Sequence, residues 1–191
     1  MGTGRLEAFS DGVIAVVVTI MVLELHAPAQ PTLAALWKIA PTFLSYGLSF
    51  LMVAIMWVNH HHMIHTVKTV TASLLWSNLN LLFWMSLVPF VTDYLGKNHR
   101  EPLAVALYGL DLTLCSVAYT VLRIEMIRQE RGNLRVQEYH RRVLHKNAIA
   151  VILYLASAAL AYVSINFSYA IFVLIPAMYF LPETGMAKED A

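Results

Sequence analysis

Arg5 to Leu25 reads R-L-E-A-F-S-D-G-V-I-A-V-V-V-T-I-M-V-L-E-L. Between Asp11 and Glu24 every residue except Gly12 and Thr19 is apolar. That uncharged core runs from position 12 to 23, or about 18 Å of helix at ~1.5 Å per residue. A bilayer core is ~30 Å thick, so a spanning helix has to reach back towards Arg5. Ser10 and Asp11 are then drawn into the membrane. An aspartate at that depth costs several kcal/mol unless it is partnered, which marks it as a functional candidate.

Helical angles divide this stretch. At about 100° per residue, with Val16 at zero, Thr19 falls near −60°, Ile20 near +40° and Leu23 near −20°. These four share one stripe. Asp11 lies about 140° away and Ser10 about 120° away, on roughly the opposite side. The helix thus offers an apolar stripe with one hydroxyl to one neighbourhood and a polar pair to another. An ordinary first membrane helix with packing faces is the competing reading, because apolar stripes are common in membrane bundles.

The rest of the chain has the same character. Of 191 residues, 59% are hydrophobic and only 13% charged, and the mean hydropathy is +0.62. Soluble domains run nearer ~45–50% apolar and ~25% charged. The expected fold class is an all-α integral membrane protein, a single domain over 1–191 with six transmembrane helices per subunit. A net charge of +1 and the lack of a basic groove exclude nucleic acid as a partner. The lone Cys115 allows no intrachain disulfide. Ala27-Pro28-Ala29 imitates a signal-peptidase site, but Glu7 and Asp11 spoil the basic leader that cleavage requires.

The six spans are expected at 5–26, 36–65, 72–95, 103–127, 143–165 and 168–181. Pro28 and Pro31 close the first. Pro41 and Gly47 lie in the second, whose far end holds Trp57, Asn59, His60, His61, His62 and His65 before a turn at Lys68. The third carries Asn78 and Asn80, and Pro89 is expected to kink it. Pro102 opens the fourth, which contains Asp111. The Ala- and Ser-rich fifth favours close helix contact. No inverted repeat rises above noise. The basic linker 128–142 mixes positive charges with glutamates; helix extensions that touch anionic headgroups, at ~1 kcal/mol per contact, explain it. Leu181-Pro182-Glu183-Thr184-Gly185 imitates a sortase signal, but no apolar span follows it.

Orientation follows from the basic residues. With the N-terminus inside, Arg5, Lys68, Arg123, Arg128, Arg131, Arg135, Arg141, Arg142, Lys146 and Lys188 are inner, and Lys38, Lys97 and Arg100 are outer. Both termini are therefore expected in the cytoplasm of a multi-pass protein of the cell membrane.

Depth then groups polar residues. Asp11 lies about 9 Å up the helix from Arg5. His62 sits at a similar depth on the second span, His61 one step deeper, and Asn78 and Asn80 enter the third span from the same side. A carboxylate, imidazoles and amides fall in one layer, and buried membrane polar groups pair with one another. Asp11 and Ser10 are expected to bond into that layer and pin the first helix to the second and third. His61 and His65 have the i, i+4 spacing of helical zinc ligands, but there is no H-E-x-x-H and no nearby cysteine, so no metal is expected. A pH-sensing role for these histidines stays open.

These residues resemble the transmembrane protein 175 family of potassium channels, in its bacterial branch. The likeness rests on R-x-x-x-F-S-D, here Arg5, Phe9, Ser10 and Asp11, continued by Ala15, Thr19 and Leu23. Trp57 with His60-His61, Leu79-Asn80-Leu81 and Pro89-Phe90 extend it. It covers all six spans but is specific in the first three. The resemblance implies a prokaryotic homotetramer, or in animals a dimer of doubled chains, with the first helix of each subunit lining the pore. It implies no T-V-G-Y-G filter, and none is present. By position it assigns the constriction to Val16, Ile20 and Leu23, and selectivity to Thr19. It assigns the structural network to Arg5, Phe9, Ser10, Asp11, Trp57, His60, His61 and Asn80. Val16 departs from the isoleucine or leucine often found at the inner constriction.

The implied function is passive, potassium-selective conduction. Apolar rings dewet a narrow passage and block ions until it widens. Thr19 hydroxyls replace part of the hydration of potassium, and Glu24 at the outer end of the stripe would concentrate cations. Potassium is the permeant ion, membrane lipids surround the subunits, and no cofactor is expected. The alternative is a small proton- or cation-coupled transporter using Asp11, Asp111 and the second-span histidines. An enzyme lacks support, since the Asp and His set has no nucleophile, phosphate loop or complete metal triad.

Overall fold

Proline and threonine punctuate the apolar runs and set where the helices begin. The computed structural model describes residues 2–65, 67, 69–129 and 134–180, and these form eight helices. α1 is Thr3–Leu23, α2 Leu33–Lys38, α3 Ala40–Ile64 and α4 Ala72–Met85. α5 is Val88–Lys97, α6 Pro102–Gln129, α7 Leu134–Leu160 and α8 Ile165–Phe180. The Oγ1 of Thr32 accepts the Ala35 amide at 3.2 Å and that of Thr71 accepts the Leu74 amide at 3.3 Å, which caps α2 and α4. Pro41 and Pro89 sit in the first turns of α3 and α5, where a missing N–H costs nothing.

Among the described residues five stretches are long and apolar enough to cross a membrane: Thr3–Leu23, Ala40–Ile64, Ala72–Lys97, Pro102–Gln129 and Val143–Leu160. Ile165–Tyr179 is a shorter apolar helix. The bounds differ from the expected 5–26, 36–65, 103–127, 143–165 and 168–181 in identifiable ways. α1 stops at Leu23, leaving Glu24 to His26 outside the helix. The run from Leu36 to His65 is two helices rather than one, divided at Ile39. The third span divides between Met85 and Val88, because the Pro89 ring has no proton for the Met85 carbonyl and would collide with it. α7 starts well before position 143 and ends at Leu160, so most of the basic linker 128–142 is helix end rather than loop. Lys68, residues 130–133 and the sortase-like string at 181–185 lie outside the described residues.

The bundle is organised around α6, which packs on α4, α5, α7 and α8. Two glycines mark backbones in close approach. A Cβ on Gly109 would meet Ser157 Oγ at 2.6 Å, and one on Gly96 would meet Thr42 Cα at 2.9 Å. The small residues of α7 thus let it lie against α6, as expected of the Ala- and Ser-rich run. Beside that contact the buried rings of Tyr108 and Phe172 meet edge to face at 4.9 Å. A hydroxyl chain ties three helices: Tyr108 Oη lies 2.9 Å from Ser49 Oγ, which lies 2.7 Å from Thr92 Oγ1, itself 2.6 Å from the Val88 carbonyl. Thr92 Oγ1 is the donor towards both Ser49 Oγ and the Val88 carbonyl, so its one proton is shared between two acceptors. α1 lies to one side, packed on α3, α4 and α5.

Candidate pore helix and its buried anchor

α1 has two faces, and burial separates them as the angles do. Leu6, Ser10, Ile14, Val17 and Met21 are buried against the protomer. Arg5, Phe9, Gly12, Val16, Thr19, Ile20 and Leu23 are exposed on the opposite side. Leu23 is 74% exposed, Val16 54% and Ile20 42%. These exposed apolar side chains form a continuous strip along the helix. Thr19 lies within it, and its hydroxyl donates to the Val16 carbonyl at 2.9 Å. That proton is committed inside the helix, so the oxygen lone pairs are left for a group approaching the strip.

The buried face carries a polar anchor. Ser10 Oγ donates to the Leu6 carbonyl at 2.9 Å and accepts from Asn78 Nδ2 at 2.9 Å. Asn78 Oδ1 lies 2.8 Å from His60 Nε2. An amide oxygen only accepts, so His60 donates from Nε2 and its tautomer is fixed. Ser10 and Asn78 are fully buried, and His60 is 1% exposed. The chain therefore links α1, α4 and α3 in sequence. Each bond is worth about 1 kcal/mol net, but each buried group left unpaired costs about 1–3 kcal/mol, so the anchor acts mainly by penalising displacement.

Asp11 is held separately. Its Oδ1 accepts the Trp57 indole N–H at 2.9 Å, tying α1 to α3 nearer the surface. Glu7, one helical turn before Asp11, faces His61 of α3 and His65, which caps that helix. Its Oε1 lies 3.2 Å from His61 Nδ1 and 3.3 Å from His65 Nε2. The two rings meet edge on, with centroids 4.4 Å apart.

The expected layer exists, with a different membership. Ser10, Asp11, Trp57, His60 and His61 come together with α1. Asn80 does not: it is exposed on α4, and its place in the chain is taken by Asn78. His62 is exposed, and Arg5 and Phe9 lie on the open strip rather than in the anchor. Glu7 is the residue that sequence reasoning passed over. The one signal in the sequence was its place a turn before Asp11 on the same helix; its partners on the second span are a tertiary fact. At the far end Glu24 lines a shallow recess with Thr42, Phe43 and Lys97, and Lys97 pairs with Asp93 at 2.6 Å. Asp111 is buried in α6, where its Oδ2 has no hydrogen bond among the described residues.

The sequence profile described as the endosomal/lysosomal potassium channel TMEM175 matches residues 5–89, the segment holding the strip and the anchor. A potassium channel of Chryseobacterium sp. strain P1-3 is 42% identical, covering 98% of this chain and 97% of that protein. A potassium channel of Chamaesiphon minutus is 31% identical over 93% of each chain. The crystal structure of a lysosomal potassium-selective channel TMEM175 homolog from Chamaesiphon minutus superposes with a TM-score of 0.73 at 25% identity, covering 94% of this chain and 96% of that one. With its apolar spanning helices, its all-helical fold and relatives matched almost end to end, this multi-pass membrane protein belongs to the TMEM175 family.

Proposed function

We propose that the chain is the subunit of a potassium-selective channel whose pore is walled by symmetry-related copies of α1. The observation that carries this reading is the exposed strip of Val16, Thr19, Ile20 and Leu23, set opposite an anchored polar face. A strip that met only lipid would have no use for a hydroxyl with free lone pairs at its centre. In a ring of four copies, Val16, Ile20 and Leu23 form apolar collars that expel water from a narrow passage. Thr19 oxygens between the collars replace part of the hydration of a permeating cation. Potassium gives up water more cheaply than sodium, so it is favoured without a cage of carbonyls.

Val16 makes the inner collar wider than an isoleucine or leucine would, which moves the tightest point to Leu23. Glu24 stands one residue beyond it and adds negative charge at the outer mouth. The assembly we infer is a homotetramer in the cell membrane with both termini in the cytoplasm, oriented by the inner excess of basic residues.

The experiment is potassium flux into proteoliposomes driven by a potassium gradient alone. Flux needing no proton or sodium gradient, an increased leak in Leu23→Ala and a weakened preference over sodium in Thr19→Ala are expected. Flux requiring a second gradient points instead to a coupled carrier. Unchanged behaviour in both variants removes the pore assignment.

A further inference from the structure

We infer that Glu7, His61 and His65 form a binding site for a divalent transition metal of the zinc class, joining the cytoplasmic end of α1 to the end of α3. The i, i+4 histidine pair was legible in the sequence but lacked a third ligand. The fold supplies it from a different helix. One donor atom from each residue lies within 4.8 Å of the other two. Glu7 Oε1 is 3.2 Å from His61 Nδ1 and 3.3 Å from His65 Nε2, and His65 Nε2 is 3.2 Å from His61 Nε2.

These separations have a specific meaning. A tetrahedral ion with ligand bonds of 2.0–2.1 Å has ligands about 3.3 Å apart along each edge of its coordination shell. Two edges, from Glu7 Oε1 to His61 Nδ1 and to His65 Nε2, already stand at that spacing; the third contact is made by the other His61 nitrogen, so the His61 ring has to turn for one nitrogen to serve the ion. Hydrogen bonding accounts for only part of the arrangement: His65 Nε2 and His61 Nε2 are bonded at 3.2 Å, but His61 Nδ1 is shut away from solvent and makes no hydrogen bond among the described residues, although a carboxylate oxygen is 3.2 Å off. Two imidazoles and one carboxylate suit zinc, cobalt or nickel, and exclude calcium and magnesium, which take oxygen donors.

Access and completion are also provided. The His65 side chain is 59% exposed, so water can fill a fourth position and the ion can enter from the cytoplasmic face. The Trp57 ring lies 5.9 Å from that of His61 and flanks the site. Ligands from α1 and α3 make the ion a clamp between the two helices, next to the Trp57–Asp11 bond. The inference stands on these ligands and does not require α1 to line a pore.

Cobalt(II) tests it directly, since ligation by two histidines and a carboxylate gives visible d–d bands. The purified full-length protein, stripped of metal in detergent, is titrated with Co2+ and then competed with Zn2+. One ion per chain is expected, with the bands lost to Zn2+ and the melting temperature raised by either metal. His65→Ala and Glu7→Gln should each weaken binding at least tenfold, about the least effect that loss of a ligand or its support produces. His62→Ala, one residue from the site but not part of it, should leave binding unchanged. Absence of d–d bands, or equal binding in His65→Ala and the unsubstituted protein, overturns the proposal and leaves the cluster an ion pair. Potassium flux recorded without metal is a separate measurement, so failure of the metal site and failure of the channel reading are told apart.

Discussion

α1 and α6 are both apolar helices crossing the same bundle, and they are used in opposite ways. In α6, 67% of the most apolar window is buried, and its neighbours surround it. In α1 the corresponding share is 28%, nearly all on one face. Both are apolar enough to cross a membrane, so hydropathy does not separate their roles. What separates them is where the polar and small residues sit. α6 places Gly109, Thr113 and Ser116 at buried positions, which lets other backbones approach. α1 places Ser10 on one face and Thr19 on the other, so one side is fastened and the other left open. A helix that closes a core is packed all round, whereas α1 is fixed from behind and open in front, as the channel reading proposed above requires.

That contrast can be broken by substitution. The largest effect is expected at Gly109→Val, because a Cβ at this position already meets Ser157 Oγ at 2.6 Å. Overpacking of this kind costs about 1–3 kcal/mol or more, and loss of folded yield in a fluorescence-detected size-exclusion assay should report it. Next comes Asn78→Leu, which strands His60 Nε2 in a buried site, while Ser10 Oγ keeps its bond to the Leu6 carbonyl. A loss of about 1–3 kcal/mol is expected, read as a lowered melting temperature, with α1 losing amide-exchange protection before α6.

Asp11→Ala should cost less, about 0.5–1.5 kcal/mol, since the Trp57 indole lies near the surface and water can replace the lost acceptor. If its yield, oligomeric state and melting temperature all match the parent protein, Asp11 is not an anchor. The smallest change in stability is expected at Leu23→Ala, within roughly 0.5 kcal/mol, as for an exposed position. Its leak should nevertheless rise several-fold in the flux assay. A Leu23→Ala protein that melts far lower would mean the strip is packed in a way the single protomer does not reveal.

Angle and depth were readable from the chain, and they reach different distances. The angular reading of α1 needed one helix and a fixed period, so the division between Ser10 and the Val16 strip could be drawn without neighbours. Depth reasoning placed His61, Asn78 and Asn80 in one layer but gave no azimuth. Asn78 and Asn80 are two residues apart, about 200° around a helix, so one had to face the bundle while the other faced away. Which one depends on how α4 packs against α6, and that is a tertiary fact. The break after Met85 was legible in Pro89, because a missing N–H acts locally. The break at Ile39 was not, as Ala40 and Pro41 suit either a continuing span or a new first turn. Glu7 was missed because its partners come from another helix, and a lone charged residue near Arg5 looks like an ordinary membrane-interface side chain.

The central claim is that the open strip of α1 meets ions rather than lipid. It is tested most directly by placing single cysteines at Val16, Ile20 and Leu23, and at Ile152 on the exposed face of α7, with the native Cys115 buried and unreactive. A charged, membrane-impermeant thiol reagent should cut potassium flux about tenfold or more in the three α1 variants and leave Ile152→Cys unaffected. Flux that survives modification at all three α1 positions would contradict the account and turn the strip towards the bilayer.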